Sequence, residues 1–264
     1  MCGRYAATKD PATLMREFDA VDGTEGRIER ADYNVAPTKH VPTVVERHPR
    51  DADGTVREDD PAVRSLRVMR WGLVPFWAKD PSVGNRMINT RAETAQEKPA
   101  FRKALSRRRC LVPADGWFEW KATDGGTGRK APKEPFYMTT RDSSSLAFAG
   151  LWETWRDPKA DPDAPPLITF SVLTTEAVGQ LADIHHRMPL VLPRERWAEW
   201  LDPGRTDATD LLAPPDRDWV DGLELRPVST RVNSVRNNGP ELIERIDPEP
   251  TDLDAALFDL PNPQ

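Results

Sequence analysis

Apolar and polar residues alternate along much of the chain, in the manner typical of β-strands with one buried face. The alternating runs, bounded by polar or turn-forming residues, predict strands at residues 66–74, 111–120 (broken by a turn at Asp115-Gly116), 135–140, 145–155, 167–175 and 224–233. Apolar spacing and capping residues predict helices at residues 10–20, 98–109 and 193–201. Because strands dominate and follow one another closely, we expect an α+β fold with a largely antiparallel sheet or barrel.

Polar segments interrupt this pattern near residues 48–62, 122–134 and 156–166, and we predict loops there. Residues 247–264 contain five Asp or Glu residues and neither Lys nor Arg. We therefore expect one folded domain over residues 1–246, followed by an acidic C-terminal tail over residues 247–264. The charge of this tail favours a solubilising role.

Composition excludes several classes of protein. The chain has 264 residues and a formal net charge of −6, and it is long enough to bury a sizeable core. No stretch approaches the roughly 18 apolar residues of a membrane span, and the first residues lack the apolar centre of a signal peptide. We therefore expect a cytoplasmic protein without a membrane partner. Cys2 and Cys110 make neither a disulfide framework nor a metal site, so we expect no cofactor.

Cys2 would become the N-terminal residue on removal of Met1, which would leave a 1,2-aminothiol. Its α-amine would titrate near about 7.8 and its thiol near about 8.5, so both nucleophiles would be partly available at neutral pH. An amine converts an aldehyde into a Schiff base, and the neighbouring thiol can then close a five-membered thiazolidine ring. The residue therefore suits an aldehyde substrate, although a second residue without any role is the alternative.

Two further residues could transfer protons. Alternation in GWFEW places Trp117 and Glu119 on one face of a strand, where aromatic neighbours would desolvate the carboxylate and raise its pKa. His185 lies in IHHRMPLVL, and histidine is the natural acid–base group near pH 7. A surface glutamate and a packed loop histidine are the alternatives at these two positions.

The remaining candidates could contact nucleic acid. Asn89, Arg91 and Glu93 alternate in INTRAET and would project from one face of a strand, where Arg91 could grip a phosphate. The basic segment at residues 101–110 and the aromatic residues of WGLVPFWAKD, including Trp77, combine cations with stacking surfaces suited to single-stranded DNA. A solvated strand face, a solvated helix and core aromatic residues are the alternatives.

Together these motifs resemble the SOS response-associated peptidase family, whose members shield abasic sites in single-stranded DNA. The similar stretches are MCGRY, YNVAPT, RWGLVPFWAKD, INTRAET, RCLVPADGWFEW, AGLWETW, IHHRMPLVL and VNSVRNNGPELI, from residue 1 to about residue 244. An N-terminal MCGR followed by GWFEW and HxRMP in this order is specific to that family. The polar insertions near residues 48–62 and 122–134 and the acidic tail depart from its compact bacterial members.

The resemblance implies a single α+β domain with a barrel-like β core and flanking helices. It implies four catalytic residues: Cys2 to capture the aldehyde, Asn89 to contact the sugar or the N-terminal region, Glu119 as acid–base group, and His185, which opens the HxRMP motif. It implies that DNA is contacted by Arg4, Pro37, Trp77, Arg91, Thr174 and Arg187.

The function that the resemblance implies is capture of an abasic site in single-stranded DNA, as a stable thiazolidine crosslink to Cys2 of a monomer. The peptidase label implies self-removal of Met1, assisted by Glu119, although a methionine aminopeptidase is an alternative. A Schiff base without the thiol could act as a lyase. Two other functions remain open, namely a cysteine peptidase that acts in trans and a non-covalent reader of modified or single-stranded DNA.

Overall fold

Most of the alternating segments form strands, and these assemble into two sheets. The computed structural model describes residues 2–28, 30–51, 53–122, 133–161 and 163–246. In these residues the strands are β1 (Tyr5–Ala7), β2 (Val21–Asp22), β3 (Asp32–Val35), β4 (His40–Arg47), β5 (Val63–Trp71), β6 (Asn89–Arg91), β7 (Arg109–Ala114), β8 (Gly116–Ala122), β9 (Lys133–Thr139), β10 (Leu146–Trp155), β11 (Leu167–Glu176), β12 (Arg187–Pro189) and β13 (Glu224–Pro227). The helices are α1 (Pro11–Phe18), α2 (Pro99–Arg107), α3 (Trp197–Leu201) and α4 (Arg217–Asp221).

The smaller sheet has the order β13-β9-β8-β1-β3, and every neighbouring pair in it is antiparallel. In the larger sheet, the antiparallel succession β11-β10-β7-β4-β5 closes into a ring because β5 also pairs in parallel with β11. The short strands β6 and β12 join this ring at β11, and β2 joins it at β5. The predicted α+β class with a largely antiparallel β core and flanking helices is confirmed.

A large buried cluster joins the two sheets. Tyr5 packs edge-on against Trp71 and Phe148, with ring centroids 5.2 and 5.9 Å apart. Trp117 meets Phe148 in the same manner at 6.0 Å. Such edge-to-face contacts add to the free energy gained by burying the rings. Cys2 belongs to this cluster, so the N-terminal segment is fixed in the core.

A second buried cluster forms where α1, α2 and α3 pack on the ring. Helix α1 begins after Asp10, whose side chain accepts a hydrogen bond from the Thr13 amide, as expected for an N-cap. Phe18 at the end of α1 stacks on Trp197 of α3, with centroids 4.5 Å apart. The residues that flank Phe148 in β10 belong to this second cluster, so the helices cover the opposite face of that strand.

The strand predicted at residues 66–74 begins at Val63 and ends at Trp71. It ends there because Gly72 has a φ of +118°, which L-residues rarely adopt. A side chain at Gly72 would also lie 2.6 Å from the carbonyl oxygen of Gly84, so only glycine fits this close approach.

Two other predicted elements are wrong in part. The helix predicted at residues 193–201 divides into a 3-10 turn at Arg194–Arg196 and the five-residue α3. The strand predicted at residues 224–233 ends at Pro227, which has no N–H to donate to a ladder. The residues Thr230–Asn233 form a 3-10 turn instead.

The polar segments at residues 48–62 and 156–166 are loops where they are described, as predicted, and the first contains one isolated bridge between Arg50 and Val56. In the segment predicted as a loop at residues 122–134, Ala122 ends β8 and Lys133 and Glu134 begin β9, so the prediction is wrong at these ends. Residues 123–132 lie outside the described residues, as does the acidic tail over residues 247–264. Among the described helices, none has the length and apolar character needed to cross a membrane.

Candidate functional site

The N-terminal segment carries Cys2 into the core alongside β8. The Phe118 amide donates to the Arg4 carbonyl oxygen at 2.9 Å, which extends the pairing of β1 with β8 towards Cys2. The Cys2 side chain is 0 % exposed. Burial, reinforced by the Glu119 carboxylate, raises the pKa of the Cys2 thiol. The sulfur is therefore protonated at neutral pH.

Asn89 lies at the start of β6, which pairs in parallel with β11. Its Nδ2 donates to the Cys2 carbonyl oxygen at 2.7 Å and so fixes the backbone of the N-terminal segment. Its Oδ1 is buried and accepts no hydrogen bond from the described residues. Because an unsatisfied buried oxygen is costly, this atom marks a place where a donor can be bound.

Glu119 lies in the middle of β8 and is 4 % exposed. Alternation places the side chains of Trp117 and Phe118 on opposite faces of β8. Trp117 belongs to the large buried cluster that joins the two sheets, whereas Phe118 belongs to a separate buried cluster. The Glu119 charge contributes to the raised pKa of the Cys2 thiol, and it counteracts the lowering of the pKa of His185. Glu119 is therefore within electrostatic reach of both residues.

His185 lies just before β12 and is held by the backbone of a near neighbour. Its Nδ1 is 2.9 Å from the amide nitrogen and 3.1 Å from the carbonyl oxygen of Arg187. A neutral ring with its proton on Nε2 accepts from that N–H, whereas a protonated ring donates to that carbonyl. The ring also stacks on His186 at 4.3 Å. Burial lowers the pKa of His185, so its neutral form prevails at neutral pH.

The four predicted catalytic residues thus come together from four separate segments of the chain. A hydrogen bond links Asn89 to Cys2, and electrostatic interactions link Glu119 to Cys2 and to His185. A neutral thiol, a carboxylate and a neutral imidazole can exchange protons around the N-terminal segment. In the described part of the chain, no group of three or more His, Cys, Asp or Glu side chains is arranged to hold a metal ion.

Some of the residues predicted to contact DNA are on the surface. Trp77 is 56 % exposed and the adjacent Phe76 is 58 % exposed, in the loop that follows β5. The Lys103 ammonium lies 5.3 Å from the centre of the Phe76 ring. Arg91 is exposed at the end of β6, and Pro37 is half-buried. Exposed aromatic rings beside cations are suited to stacking bases and binding phosphates.

Asn34 is a residue that the sequence analysis did not single out, although it lies within the quoted motif YNVAPT. Its Oδ1 accepts a hydrogen bond from Arg4 Nη1 at 2.7 Å. Its Nδ2 donates to the carbonyl oxygens of Ser234 and Asn237 at 3.0 and 2.9 Å. The Arg4 guanidinium also donates to the Val232 carbonyl oxygen at 2.8 Å. Asn34 therefore orients Arg4 and joins β3 to the segment at residues 232–237.

Thr174 and Arg187 are placed differently from the other predicted DNA contacts, because they are 1 % and 8 % exposed. Arg187 donates to both carboxylate oxygens of Glu93, at 2.8 and 3.0 Å. It also donates to the Thr174 carbonyl oxygen at 2.6 Å. Both residues are thus buried in this structure, and the guanidinium is bound by protein groups.

Solved structures share this fold. A protein from Bacteroides thetaiotaomicron superposes with a TM-score of 0.73 at 24 % identity, over 93 % of this chain and all of that chain. A phage-related protein from Bordetella bronchiseptica superposes with a TM-score of 0.60 at 28 % identity, over 86 % of this chain and 94 % of that chain.

Curated relatives are similar over most of their length. The abasic site processing protein YoqW of Bacillus subtilis is 38 % identical over 247 residues, which cover 92 % of this chain and 99 % of that protein. The abasic site processing protein HMCES of Gallus gallus is 31 % identical, over 94 % of this chain and 78 % of that protein. The family model described as SOS response associated peptidase (SRAP) matches residues 1–235. The chain therefore belongs to the SRAP family.

Proposed function

We propose that this protein binds single-stranded DNA at an abasic site and captures the aldehyde of the ring-opened sugar through Cys2, after Met1 has been removed. The observation that carries the proposal is the position of Cys2. This residue is buried, its carbonyl oxygen accepts a hydrogen bond from Asn89, and its thiol interacts electrostatically with Glu119. The relatives' names, which refer to abasic site processing, support it further. The setting is the DNA damage response.

The reaction has two covalent steps. The free amine of Cys2 attacks C1′ of the sugar aldehyde, a proton reaches the aldehyde oxygen, and water leaves as an iminium ion forms. The Cys2 sulfur then adds to the same carbon, and its proton passes to Glu119 or His185 as the thiazolidine ring closes. One water is lost, and no atom changes its oxidation state. The product resists β-elimination because the iminium ion that drives strand cleavage has been consumed.

The raised pKa of the Cys2 thiol supports this order of steps. A protonated sulfur is a weak nucleophile, so the amine reacts first. The thiol then adds to the adjacent iminium carbon, where the ring geometry makes the addition intramolecular. A cysteine peptidase acting in trans needs the opposite, namely a thiolate stabilised by a lowered pKa. Burial of the Cys2 sulfur beside a carboxylate does not favour such a thiolate, which supports aldehyde capture over that alternative.

The amine becomes available only when Met1 leaves. Glu119 is the group within reach of Cys2 that can activate water for this hydrolysis, and we propose that the protein removes Met1 itself. Intact mass spectrometry tests this step. Retention of Met1 in Glu119→Gln, with normal loss of Met1 in Cys110→Ala, is the expected result. Complete loss of Met1 in both variants would assign the step to an aminopeptidase.

The surface beside the site supplies the DNA contacts. Arg4 and Arg91 bind phosphates, while Trp77 stacks with bases and Pro37 helps to interrupt their stacking. The exposure of Trp77 and Arg91 supports these roles, because neither needs rearrangement to meet DNA. We propose that the protein acts as a monomer in the cytoplasm and joins the nucleoid when it binds DNA.

The test is a crosslinking assay with a single-stranded oligonucleotide that holds one abasic site. The expected product is a band on a denaturing gel that survives heat and whose mass is that of protein and DNA less one water. Cys2→Ala should lose this product and nick the strand instead, because its amine can still form a Schiff base. Cys110→Ala is the matched control, since Cys110 is equally buried but lies outside the site.

Three results would contradict the proposal. A heat-stable adduct with Cys2→Ala would remove the sulfur from the chemistry. Salt-sensitive, reversible binding without any adduct, from protein confirmed to lack Met1, would instead identify a non-covalent reader. Cleavage of a peptide in trans without DNA would identify a peptidase.

A further inference from the structure

The segment at residues 225–240 is a basic run in an acidic chain. It contains three arginine residues and neither Asp nor Glu, although the whole chain has a net charge of −6. Two of these arginines form ion pairs with Glu224 and Glu241. The third, Arg236, is exposed, and no carboxylate in the described part of the chain lies within ion-pair distance of it. Its charge can therefore attract an anionic ligand.

Arg236 lies at the tip of a turn. The Asn237 amide donates to the Ser234 carbonyl oxygen at 3.1 Å, which leaves Val235 and Arg236 as the two central residues of the turn. The Val235 side chain is 52 % exposed. The tip of the turn therefore presents one apolar and one cationic side chain to the solvent.

The side chains of three asparagine residues hold this turn in place. Asn34 Nδ2 donates to the Ser234 and Asn237 carbonyl oxygens at 3.0 and 2.9 Å, so one amide group binds both ends of the turn. Asn237 Nδ2 donates to a carbonyl oxygen of the preceding 3-10 turn at 2.8 Å. Asn238 Oδ1 accepts from a backbone amide of β3 at 2.8 Å. A turn that is fixed in this way loses little conformational entropy when it binds a ligand.

Asn34 also sets the position of the turn relative to Arg4. Its Oδ1 accepts from Arg4 Nη1 at 2.7 Å, while its Nδ2 binds the turn. The same Arg4 nitrogen donates to the Val232 carbonyl oxygen at 2.8 Å, two residues before the turn begins. Arg4 in turn lies two residues after Cys2. The turn is therefore joined directly to the segment that carries the site.

We propose that the turn Ser234–Asn237 is a further element of the DNA interface, in which Arg236 binds a backbone phosphate beside the nucleotide at Arg4 and Val235 packs against the adjoining sugar. This assignment rests on the proposed function, since it takes single-stranded DNA as the ligand. A guanidinium binds phosphate through two parallel N–H groups. One cation beside one apolar side chain also matches a nucleotide backbone, in which a sugar follows each phosphate. The connection to Arg4 through Asn34 favours DNA over an acidic protein segment as the ligand.

The test is the salt dependence of binding to intact single-stranded DNA, which involves no covalent step. Arg236→Gln should weaken binding by about three- to tenfold and lower the slope of log K against log salt by about 0.7, the value for one phosphate contact on a single strand. Arg236→Lys should keep that slope, because it retains the charge. Val235→Ala should weaken binding by about twofold at every salt concentration without changing the slope, because its contact is apolar.

The matched control is Arg57→Gln, which removes the same charge at a distance from the site. Arg57 lies in the loop that follows β4, whereas Pro37 lies before that strand, so the eight residues of β4 separate the two. Its affinity for DNA and its slope should equal those of the wild type. Unfolding curves of Arg236→Gln should coincide with those of the wild type, because Arg236 is exposed at the tip of the turn.

The crosslinking rate distinguishes this assignment from the proposed function. At saturating protein, Arg236→Gln should crosslink an abasic oligonucleotide at the wild-type rate, because Arg236 takes part in binding and not in the chemistry. Unchanged affinity and slope in Arg236→Gln, with normal crosslinking, would overturn the assignment and leave the turn to a protein partner, while the proposed function would stand. If the wild-type protein neither bound nor crosslinked DNA, the proposed function would fail and the assignment with it. If it bound DNA without crosslinking, the covalent chemistry alone would fail, and the slope would still decide the role of the turn.

Discussion

Replacing Asn34 by alanine should weaken both the fold and the segment that orients Arg4. The side chain of Asn34 is fully buried and makes three hydrogen bonds of 2.7 to 3.0 Å, to Arg4, Ser234 and Asn237. At about 1 kcal/mol each, their loss should lower the free energy of unfolding by about 3 kcal/mol. In a chain of this size, each kcal/mol shifts Tm by roughly 2–4 °C, so Tm should fall by roughly 6–12 °C.

Urea and thermal unfolding measure this change, with Asn85→Ala as the control. Asn85 is exposed and accepts one hydrogen bond, from Arg70 Nη2 at 2.9 Å, so its loss should cost less than about 0.5 kcal/mol. Asn34→Ala should also weaken binding of single-stranded DNA, because Arg4 loses one of the two hydrogen-bond acceptors that orient it among the described residues. An Asn34→Ala protein within about 1 kcal/mol of the wild type would refute the reasoning, since it would mean that water replaces these bonds without cost.

Three further predictions follow from the site. Asn89→Ala should slow crosslinking by about five- to tenfold without changing the final adduct, because it removes one hydrogen bond to the Cys2 carbonyl; single-turnover kinetics measure the rate. The pKa of His185 should lie below about 6.5, and Glu119→Gln should lower it further, as NMR titration can show. Because burial lowers this pKa in the folded state, the stability that His185 contributes is complete above about pH 6.5 and is lost as the pH falls through the folded value. Trp77→Ala should leave stability within about 0.5 kcal/mol of the wild type and weaken single-stranded DNA binding by about 1–3 kcal/mol; unfolding curves and fluorescence anisotropy test the two parts.

Local features of the sequence could be predicted because their causes are local. The capping hydrogen bond of Asp10 sets the start of α1, and a two-residue period in GWFEW places Glu119 on the side of Trp117. The chemistry of an N-terminal cysteine and of a buried histidine likewise depends on residue type. The types of the predicted catalytic residues, such as Asn89 and His185, could therefore be read from the sequence, but not the fold that brings them together.

The partners of each strand were beyond prediction because they depend on distant segments. The ring closes where Trp71 of β5 meets Phe170 of β11, and nothing in either run indicates the other. The bonds of Asn34 reach carbonyl groups about two hundred residues later in the chain. The burial of Arg187 is of the same kind, since a motif gives the residue type but not which groups surround it. The bidentate ion pair between Arg187 and Glu93 is therefore visible only in the structure.

The burial of Cys2 also bears on how a reactive aminothiol can be kept in a cell that contains many other aldehydes and oxidants. A thiol whose pKa is raised holds little thiolate, which is the form that oxidants and electrophiles attack. In the proposed reaction, selectivity then depends on delivery, because only an aldehyde placed by bound DNA would reach the amine. Under the proposed function Glu119 would serve both conditions, since its charge helps to keep the thiol protonated before the substrate arrives and could accept the thiol proton when the ring closes. In the proposed reaction, a single buried carboxylate thus helps to keep the sulfur protonated in the free protein and accepts its proton in the complex with DNA.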